Sequence, residues 1–181
     1  MSLASAADVI EFWWAAGKDR WFKVDADFDA DVRARFLAAH EAALAGRLAE
    51  WEGSPEGALA LLLLLDQFPR NMFRGTTRAF ATDGQAREIA QRALERGFDQ
   101  EVDPEFRGFF YLPFMHSEEL ADQEICLRLF RKLGDEEGIK YAEIHHDAIR
   151  RFGRFPHRNK VLGRESSDDE IAYLENGGFS G

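Results

Sequence analysis

The stretch that decides the fold is a leucine-rich run over residues 54–71, which reads SPEGALALLLLLDQFPRN. Ser54 is a side chain that commonly caps a helix, and Pro55 suits the first helical position. The run Leu61 to Leu65 covers every side of a helix rather than one face. The sequence therefore predicts a central helix that neighbouring helices enclose. This helix should end before Pro69, because proline disfavours helical geometry in the residue that precedes it.

The rest of the chain carries the same kinds of helix signal. Apolar residues recur at helical spacing, capping residues or proline precede each run, and glycine follows several of them. Helices are predicted over residues 6–16, 29–48, 82–96, 117–133, 136–152 and 167–175, with a short aromatic helix beginning at Pro104. Sustained period-two alternation is missing from the sequence. The predicted class is all-α, an array of about eight or nine helices in helix hairpins, arranged as a bundle or a short superhelix.

Length and composition are those of an ordinary globular protein. Hydrophobic residues make up 45% and charged residues 31% of the 181 residues, which is enough to bury one core. We therefore expect a single helical domain over residues 1–181. The formal net charge of -10 disfavours nucleic acid and anionic membranes as partners, because both attract positively charged surfaces. Composition does not indicate an oligomeric state.

Cysteine content and the N-terminal sequence favour a cytoplasmic protein. The single cysteine, Cys126, excludes an internal disulfide and a cysteine-rich zinc site. The N-terminal residues lack the charged, apolar and small-residue regions of a signal peptide. The longest apolar run, residues 58–65, is too short to span a bilayer.

Positive charge is concentrated in two similar stretches of this acidic chain. The first motif, residues 66–75, reads DQFPRNMFRG, and the second motif, residues 150–164, reads RRFGRFPHRNKVLGR. Both continue from a helix through a Phe-Pro break to Arg-Asn, an apolar pair and glycine. The second motif contains no acidic residue, although the whole chain contains 33. These two motifs are therefore the main candidates for a functional site.

Each motif supplies side chains that suit an anion. The candidates are Asp66, Arg70 and Asn71 in the first motif and Arg154, Arg158 and Asn159 in the second. Guanidinium groups, amides and the N–H groups of a helix start form receptors for carboxylate and phosphate. We predict that the two motifs line one pocket for a small phosphate- or carboxylate-bearing molecule.

Histidines near the motifs make acid–base catalysis an alternative. The candidate catalytic residues are His116, Glu118, His145 and His157, since an imidazole beside a carboxylate can move protons near neutral pH. Such a protein would be a hydrolase or a transferase. No metal is expected, because His145 and His146 are adjacent and a single cysteine cannot complete a zinc-deaminase signature. No cofactor is expected, because the chain has no Gly-x-Gly-x-x-Gly and no phosphate-binding loop.

The same polar residues also have a purely structural interpretation. An arginine behind a helix end can bind the last carbonyl groups of that helix and pair with an inward aspartate. Pairs of Asp66 with Arg158, or of Asp147 with Arg70, would then brace two similar helix ends. A third interpretation is a protein-interaction scaffold, which rests on analogy with other helical arrays.

Three runs of the sequence resemble one bacterial family. They are DQFPRNMFRG at 66–75, YLPFMHSE at 111–118 and RFGRFPHRN at 151–159. Their order is similar to that of domain-of-unknown-function family 924, and the resemblance extends over nearly the whole chain. It implies an all-helical, tetratricopeptide-like fold and no established activity. The family's motif positions match at Asp66, Arg70, Asn71, His116, Glu118, His145, Arg154, His157, Arg158 and Asn159.

Overall fold

The computed structural model describes residues 3–180, which are helical with short connections and contain no strand. The all-α prediction is therefore confirmed. The α-helices are α1 (Ala6–Ala16), α2 (Lys18–Trp21), α3 (Ala26–Leu44), α4 (Pro55–Leu62), α5 (Phe68–Met72), α6 (Asp83–Glu95), α7 (Leu112–Met115), α8 (Leu120–Leu133), α9 (Glu136–Phe152) and α10 (Asp168–Glu175). A π-helical segment spans Leu63–Gln67. The 3-10 helices are Ala49–Gly53, Thr77–Phe80, Phe98–Gln100, Pro104–Phe110 and Pro156–Arg158.

Two compact units divide the described residues. Unit 1 comprises residues 3–74 and 78–113, and unit 2 comprises residues 75–77 and 114–180. The first motif lies in unit 1 except for its last residue, and the second motif lies in unit 2. The single-domain organisation and the tetratricopeptide-like arrangement stay predictions. Among the described helices none has the length and apolar content needed to cross a bilayer.

The leucine-rich helix forms the centre of unit 1. Every residue from Ala58 to Leu65 is buried, as its uniformly apolar surface requires. Aromatic rings pack at its far end, where the ring centre of Trp13 lies 5.3 Å from Phe68 and 6.0 Å from Trp21. The indole N–H of Trp21 donates to the carbonyl of Trp13 at 2.7 Å. The central helix predicted from the sequence is therefore confirmed.

This helix does not end before Pro69, so that detail of the sequence prediction is wrong. Helix α4 continues through the π segment into α5, where Pro69 is the second residue. The backbone N–H of Phe68 bonds to the carbonyl of Leu63, five residues back. This wider register places the proline in the first turn of α5, where a missing N–H disturbs the helix least.

Side chains complete the hydrogen bonding of the π segment. The carbonyl of Leu64 accepts from Nδ1 of His40 at 2.9 Å, and the carbonyl of Leu65 accepts from the hydroxyl of Thr82 at 2.5 Å. The carbonyl of Asp66 accepts from the guanidinium of Arg70 at 2.7 Å. Pro69 has no backbone N–H that could donate to the carbonyls of Leu64 and Leu65. A carbonyl only accepts, so His40 carries its proton on Nδ1. His40 and Thr82, from other parts of unit 1, and Arg70, from the next turn of the same helix, therefore hold this segment in place.

Thr82→Val is expected to lower the free energy of unfolding by about 1–3 kcal/mol, because it removes the donor to a buried carbonyl that Pro69 cannot serve. Valine keeps a similar shape, so packing changes little. Urea unfolding measures the difference. The control Thr77→Val alters an exposed residue and should change stability by less than about 0.5 kcal/mol. Equal losses in the two variants would contradict this account of the π segment.

Unit 2 is built on the hairpin of helices α8 and α9. Gly134, with a φ of 76°, ends α8, and the side chain of Asp135 caps α9 by accepting from the N–H of Gly138. A Cβ atom on Gly138 would lie 2.2 Å from the ring of Phe130, so only glycine permits this close approach. The inner face of α9 includes the buried His145, which places a titratable group in the core of unit 2.

Candidate functional site

Arg70 of the first motif is paired within unit 1. Its guanidinium donates to both carboxylate oxygens of Asp83, at 2.9 and 3.0 Å, and lies 3.3 Å from a carboxylate oxygen of Asp66. The side chains of Arg70 and Asp66 are 16% and 3% exposed. Bidentate pairs of this kind are strong and directional. They join the end of the leucine-rich helix to the start of α6.

Asn71 takes part in a second network around Asp29, at the start of α3. The amide of Asn71 donates to Asp29 at 2.8 Å, and Arg74 donates to both oxygens of Asp29 at 2.8 and 3.1 Å. Gln67 in turn donates to the amide oxygen of Asn71 at 3.2 Å. The polar residues of the first motif thus have protein partners, and their ligand-binding roles stay predictions.

Glu118 holds the second motif in place within unit 2. Its carboxylate accepts from Arg164 at 2.7 and 2.9 Å and from the backbone N–H of Phe155 at 2.8 Å. Burial acts to raise the pKa of Glu118, but the hydrogen bonds from Arg164 and Phe155 outweigh it and lower the pKa. Glu118 is therefore ionised at neutral pH. Its catalytic role stays a prediction.

Glu170, in the first turn of α10, is a second anchor for this motif. Arg154 donates to its two oxygens at 2.6 and 2.8 Å, and Asn159 donates at 3.2 Å. Despite burial, these donors and the backbone N–H of Ser167 lower the pKa of Glu170 to about 2, with Arg154 the largest cause. Sequence reasoning missed this role of Glu170, although the Ser-x-x-Glu spacing of a capping box marks it.

The remaining candidates meet in one group of side chains, here named the imidazole cluster. It comprises His116, His145, His157, Arg158, Phe155 and Phe179. Phe155 is its centre. The ring centres of His145 and His157 lie 5.5 and 5.6 Å from that of Phe155, and the guanidinium carbon of Arg158 lies 4.5 Å away. His116 and His145 are 6.3 Å apart. The fold thus brings four separate parts of unit 2 together.

His145 is a neutral hydrogen-bond acceptor in this cluster. Its Nδ1 lies 2.8 Å from the carbonyl of Tyr141, so Nδ1 carries the proton and Nε2 keeps its lone pair. Burial is the main cause that lowers the pKa of His145 to about 3. His116, Arg158 and His157 each lower it further, because they disfavour another positive charge nearby. At neutral pH Nε2 therefore accepts a proton or hydrogen bond rather than donating one.

The electrostatic character of the cluster suits an anion. Its charged and titratable members are bases, and the adjacent Glu118 and Glu170 are neutralised by Arg164 and Arg154. The described residues include no group of three or more histidine, cysteine, aspartate or glutamate side chains placed to hold a metal ion. The predicted catalytic roles of His116, His145 and His157 stay predictions.

These features define an all-α protein in which imidazoles and a guanidinium surround a buried phenylalanine. Residues 9–178 match the family described as "Bacterial protein of unknown function (DUF924)", and the chain belongs to this family. It is also similar to a solved structure of a protein of unknown function from Agrobacterium tumefaciens, with 50% sequence identity and a TM-score of 0.93. That match covers 95% of this chain and 97% of the other. No curated protein matches the chain.

Proposed function

We propose that the protein binds a small anion, bearing a phosphate or a carboxylate, at the imidazole cluster of unit 2. The observation that carries this proposal is the gathering of two imidazoles and one guanidinium around Phe155, with a third imidazole, that of His116, 6.3 Å from His145. The net charge of the chain is -10, so a local group of bases stands out against the rest of the protein. A local group of positive charges in an acidic protein concentrates small anions there.

The side chains have complementary tasks in this proposal. Arg158 supplies a permanent charge and planar donors, and its stacking on Phe155 at 4.5 Å fixes the orientation of the guanidinium. His116 and His157 are half-buried and supply further N–H donors. Nε2 of His145 accepts from a hydroxyl of the ligand, such as the P–OH group of a monoprotonated phosphate.

We assign the ligand to the second motif and a structural task to the first. Arg70 is bonded to Asp66 and Asp83, and Asn71 is bonded to Asp29. By contrast, Arg154 and Asn159 position the second motif by holding Glu170. Arg158, whose guanidinium stacks on Phe155 in the imidazole cluster, is the arginine of the second motif that we assign to the ligand.

Phosphate at neutral pH is expected to raise the melting temperature of the wild-type protein, compared with chloride at equal ionic strength. Arg158→Leu should weaken phosphate binding at least about tenfold, because a hydrogen bond to a charged group contributes about 1.5–3 kcal/mol. Isothermal titration calorimetry measures both Kd values. Circular dichroism checks that the variant is folded.

The matched control is Arg150→Leu. Arg150 belongs to the same motif but is exposed and pairs with Asp147, so its loss should leave the phosphate Kd unchanged. The proposal would be wrong if phosphate, acetate and citrate all gave no saturable heat with the wild type. It would also be wrong if both leucine variants bound phosphate equally well.

A further inference from the structure

The segment that follows α10 places a phenylalanine inside the imidazole cluster. The ring centre of Phe179 lies 4.2 Å from His145 and 4.9 Å from His157. It also lies 6.3 Å from Phe155, and the ring packs against the small core formed by Ala148, Ile149 and Phe155. Phe179 therefore lies beside His145 and His157, two of the residues that the proposed function assigns to the ligand.

The backbone leading to Phe179 follows a defined path. Gly177 adopts a φ of 80°, and the N–H of Gly178 bonds to the carbonyl of Tyr173 at 2.9 Å, which together form a regular helix end. The N–H of Phe179 then donates to the hydroxyl of Tyr173 at 3.0 Å. A Cβ atom on Gly178 would lie 2.5 Å from the carbonyl oxygen of Tyr173, so glycine is required there. The phenyl ring is thus directed into the cluster by the chain that carries it.

The contacts of the Phe179 ring are those that packed aromatic rings commonly make. His157 meets it edge to face, at an interplanar angle of 87°, and His145 is tilted by 50°. Aromatic rings favour such tilted and edge-on contacts because their faces are negative and their edges positive. Phe179 is itself only half-buried. Its segment follows α10 and is not part of the α8–α9 hairpin.

We infer that Phe179 holds the place of a ligand ring, so that the ligand of the imidazole cluster is an anion attached to an aromatic ring. This inference rests on the proposed function, in which the anionic group binds Arg158 and the histidines. The ring of the ligand replaces the phenyl ring of Phe179 beside His145 and His157. Phe179 therefore competes with the ligand, and residues 177–180 must leave before the ligand is fully bound.

The test compares two probes, phenyl phosphate and inorganic phosphate, on wild-type protein and Phe179→Ala. Phe179→Ala is expected to bind phenyl phosphate at least about tenfold more tightly than the wild type, because the competing ring is gone. Its Kd for inorganic phosphate should stay within about twofold of the wild-type value, since phosphate does not need the place of the ring. Calorimetry gives all four Kd values. An unchanged Kd for phenyl phosphate, or an equal gain for both probes, would overturn the inference.

Phe179→Leu serves as a second variant that keeps apolar packing against Ile149 and Phe155. It should also bind phenyl phosphate more tightly than the wild type, by a smaller factor, because leucine fills less of the space. If Phe179→Ala does not fold, the result with Phe179→Leu decides. A leucine variant with the wild-type Kd for phenyl phosphate would then overturn the inference.

The two proposals fail in different ways. If phosphate, acetate and citrate all fail to bind the wild type, the proposed function fails. Phenol, which carries no charge at neutral pH, then tests whether an aromatic ring can bind in the place of Phe179. Phenol should shift the imidazole NMR signals of His145 and His157 in Phe179→Ala and leave them unchanged in the wild type. If the wild type and Phe179→Ala respond to phenol alike, Phe179 does not hold the place of a ligand ring.

Discussion

Arg70→Met is expected to lower the free energy of unfolding by about 3–5 kcal/mol, the usual effect of removing one partner of a buried ion pair. The substitution removes the guanidinium that faces the buried carboxylate of Asp66 and forms a bidentate pair with Asp83. It also removes the donor to the carbonyl of Asp66 within the π segment. Methionine replaces the apolar stem of arginine but none of these hydrogen bonds. Urea unfolding, followed by tryptophan fluorescence, measures the loss.

Arg74→Met is the matched control, because Arg74 forms a similar pair in the same motif. Its side chain is 42% exposed where it binds Asp29, and exposed pairs contribute about 1 kcal/mol or less. Arg70→Lys should restore only part of the lost stability, since lysine cannot bind Asp83 through two parallel hydrogen bonds. Similar losses for Arg70→Met and Arg74→Met would show that burial does not set the strength of these pairs.

Acid is expected to destabilise the wild-type protein more steeply than the variant His145→Asn. Burial, together with the neighbouring bases, lowers the pKa of His145 from its ordinary value of 6.5 to about 3. Below pH 6.5 the unfolded chain takes up a proton at this residue and the folded chain does not, so acid favours unfolding. This destabilisation by His145 is absent above about pH 6.5 and grows by about 1.4 kcal/mol per pH unit as the pH falls towards 3. Asparagine retains a donor for the carbonyl of Tyr141 but does not titrate.

Urea unfolding at several pH values between about 7 and 5 tests this prediction, and the slope of stability against pH is the quantity compared. This range avoids most of the titration of Glu118 and Glu170, whose ordinary pKa is 4.5. His146→Asn, the same substitution at the next position of α9, is the matched control. Burial also lowers the pKa of His40, so some acid sensitivity remains in every variant. Equal slopes for the wild type and His145→Asn would contradict the assignment of a buried neutral imidazole.

Local signals in the sequence predicted much of the helical architecture. Helix α1 spans Ala6–Ala16, as predicted, and Ser5 forms a capping box with Asp8. Helix α9 likewise has the predicted bounds, Glu136–Phe152, between a capping aspartate and a glycine with positive φ. Capping residues, glycine ends and apolar spacing act within a few residues of each other, so the sequence alone is enough to recognise them.

Boundaries that depend on distant residues were not predictable in this way. Helix α8 begins at Leu120 rather than at residue 117, and Glu118, which precedes the helix, binds Arg164 and the backbone of Phe155. The continuation of the central helix past Pro69 likewise needs His40 and Thr82, which come from other helices or their ends. Tertiary hydrogen bonds of this kind override local preference.

The sequence indicated which residue types form the candidate site but not their partners. The two motifs indicate Arg70 and Arg154 as candidates but not the carboxylates that bind them. Asp83 lies 13 residues after Arg70, and Glu170 lies 16 residues after Arg154, each in the first turn of an ordinary helix. Phe179 carried no signal, since an aromatic residue after two glycines has no characteristic meaning. Only the folded arrangement places its ring against His145.

The π segment sets the direction in which the first motif faces. Leucines before it fill the centre of unit 1, while after it the same continuous helix turns Arg70 towards Asp83 and Asn71 towards Asp29. Each residue advances an α-helix by about 100° around its axis. Removing one leucine from Leu61 to Leu65 would therefore swing both side chains round by that angle without interrupting the helix. The length of the leucine run, as well as its composition, therefore sets the direction in which the side chains of Arg70 and Asn71 point.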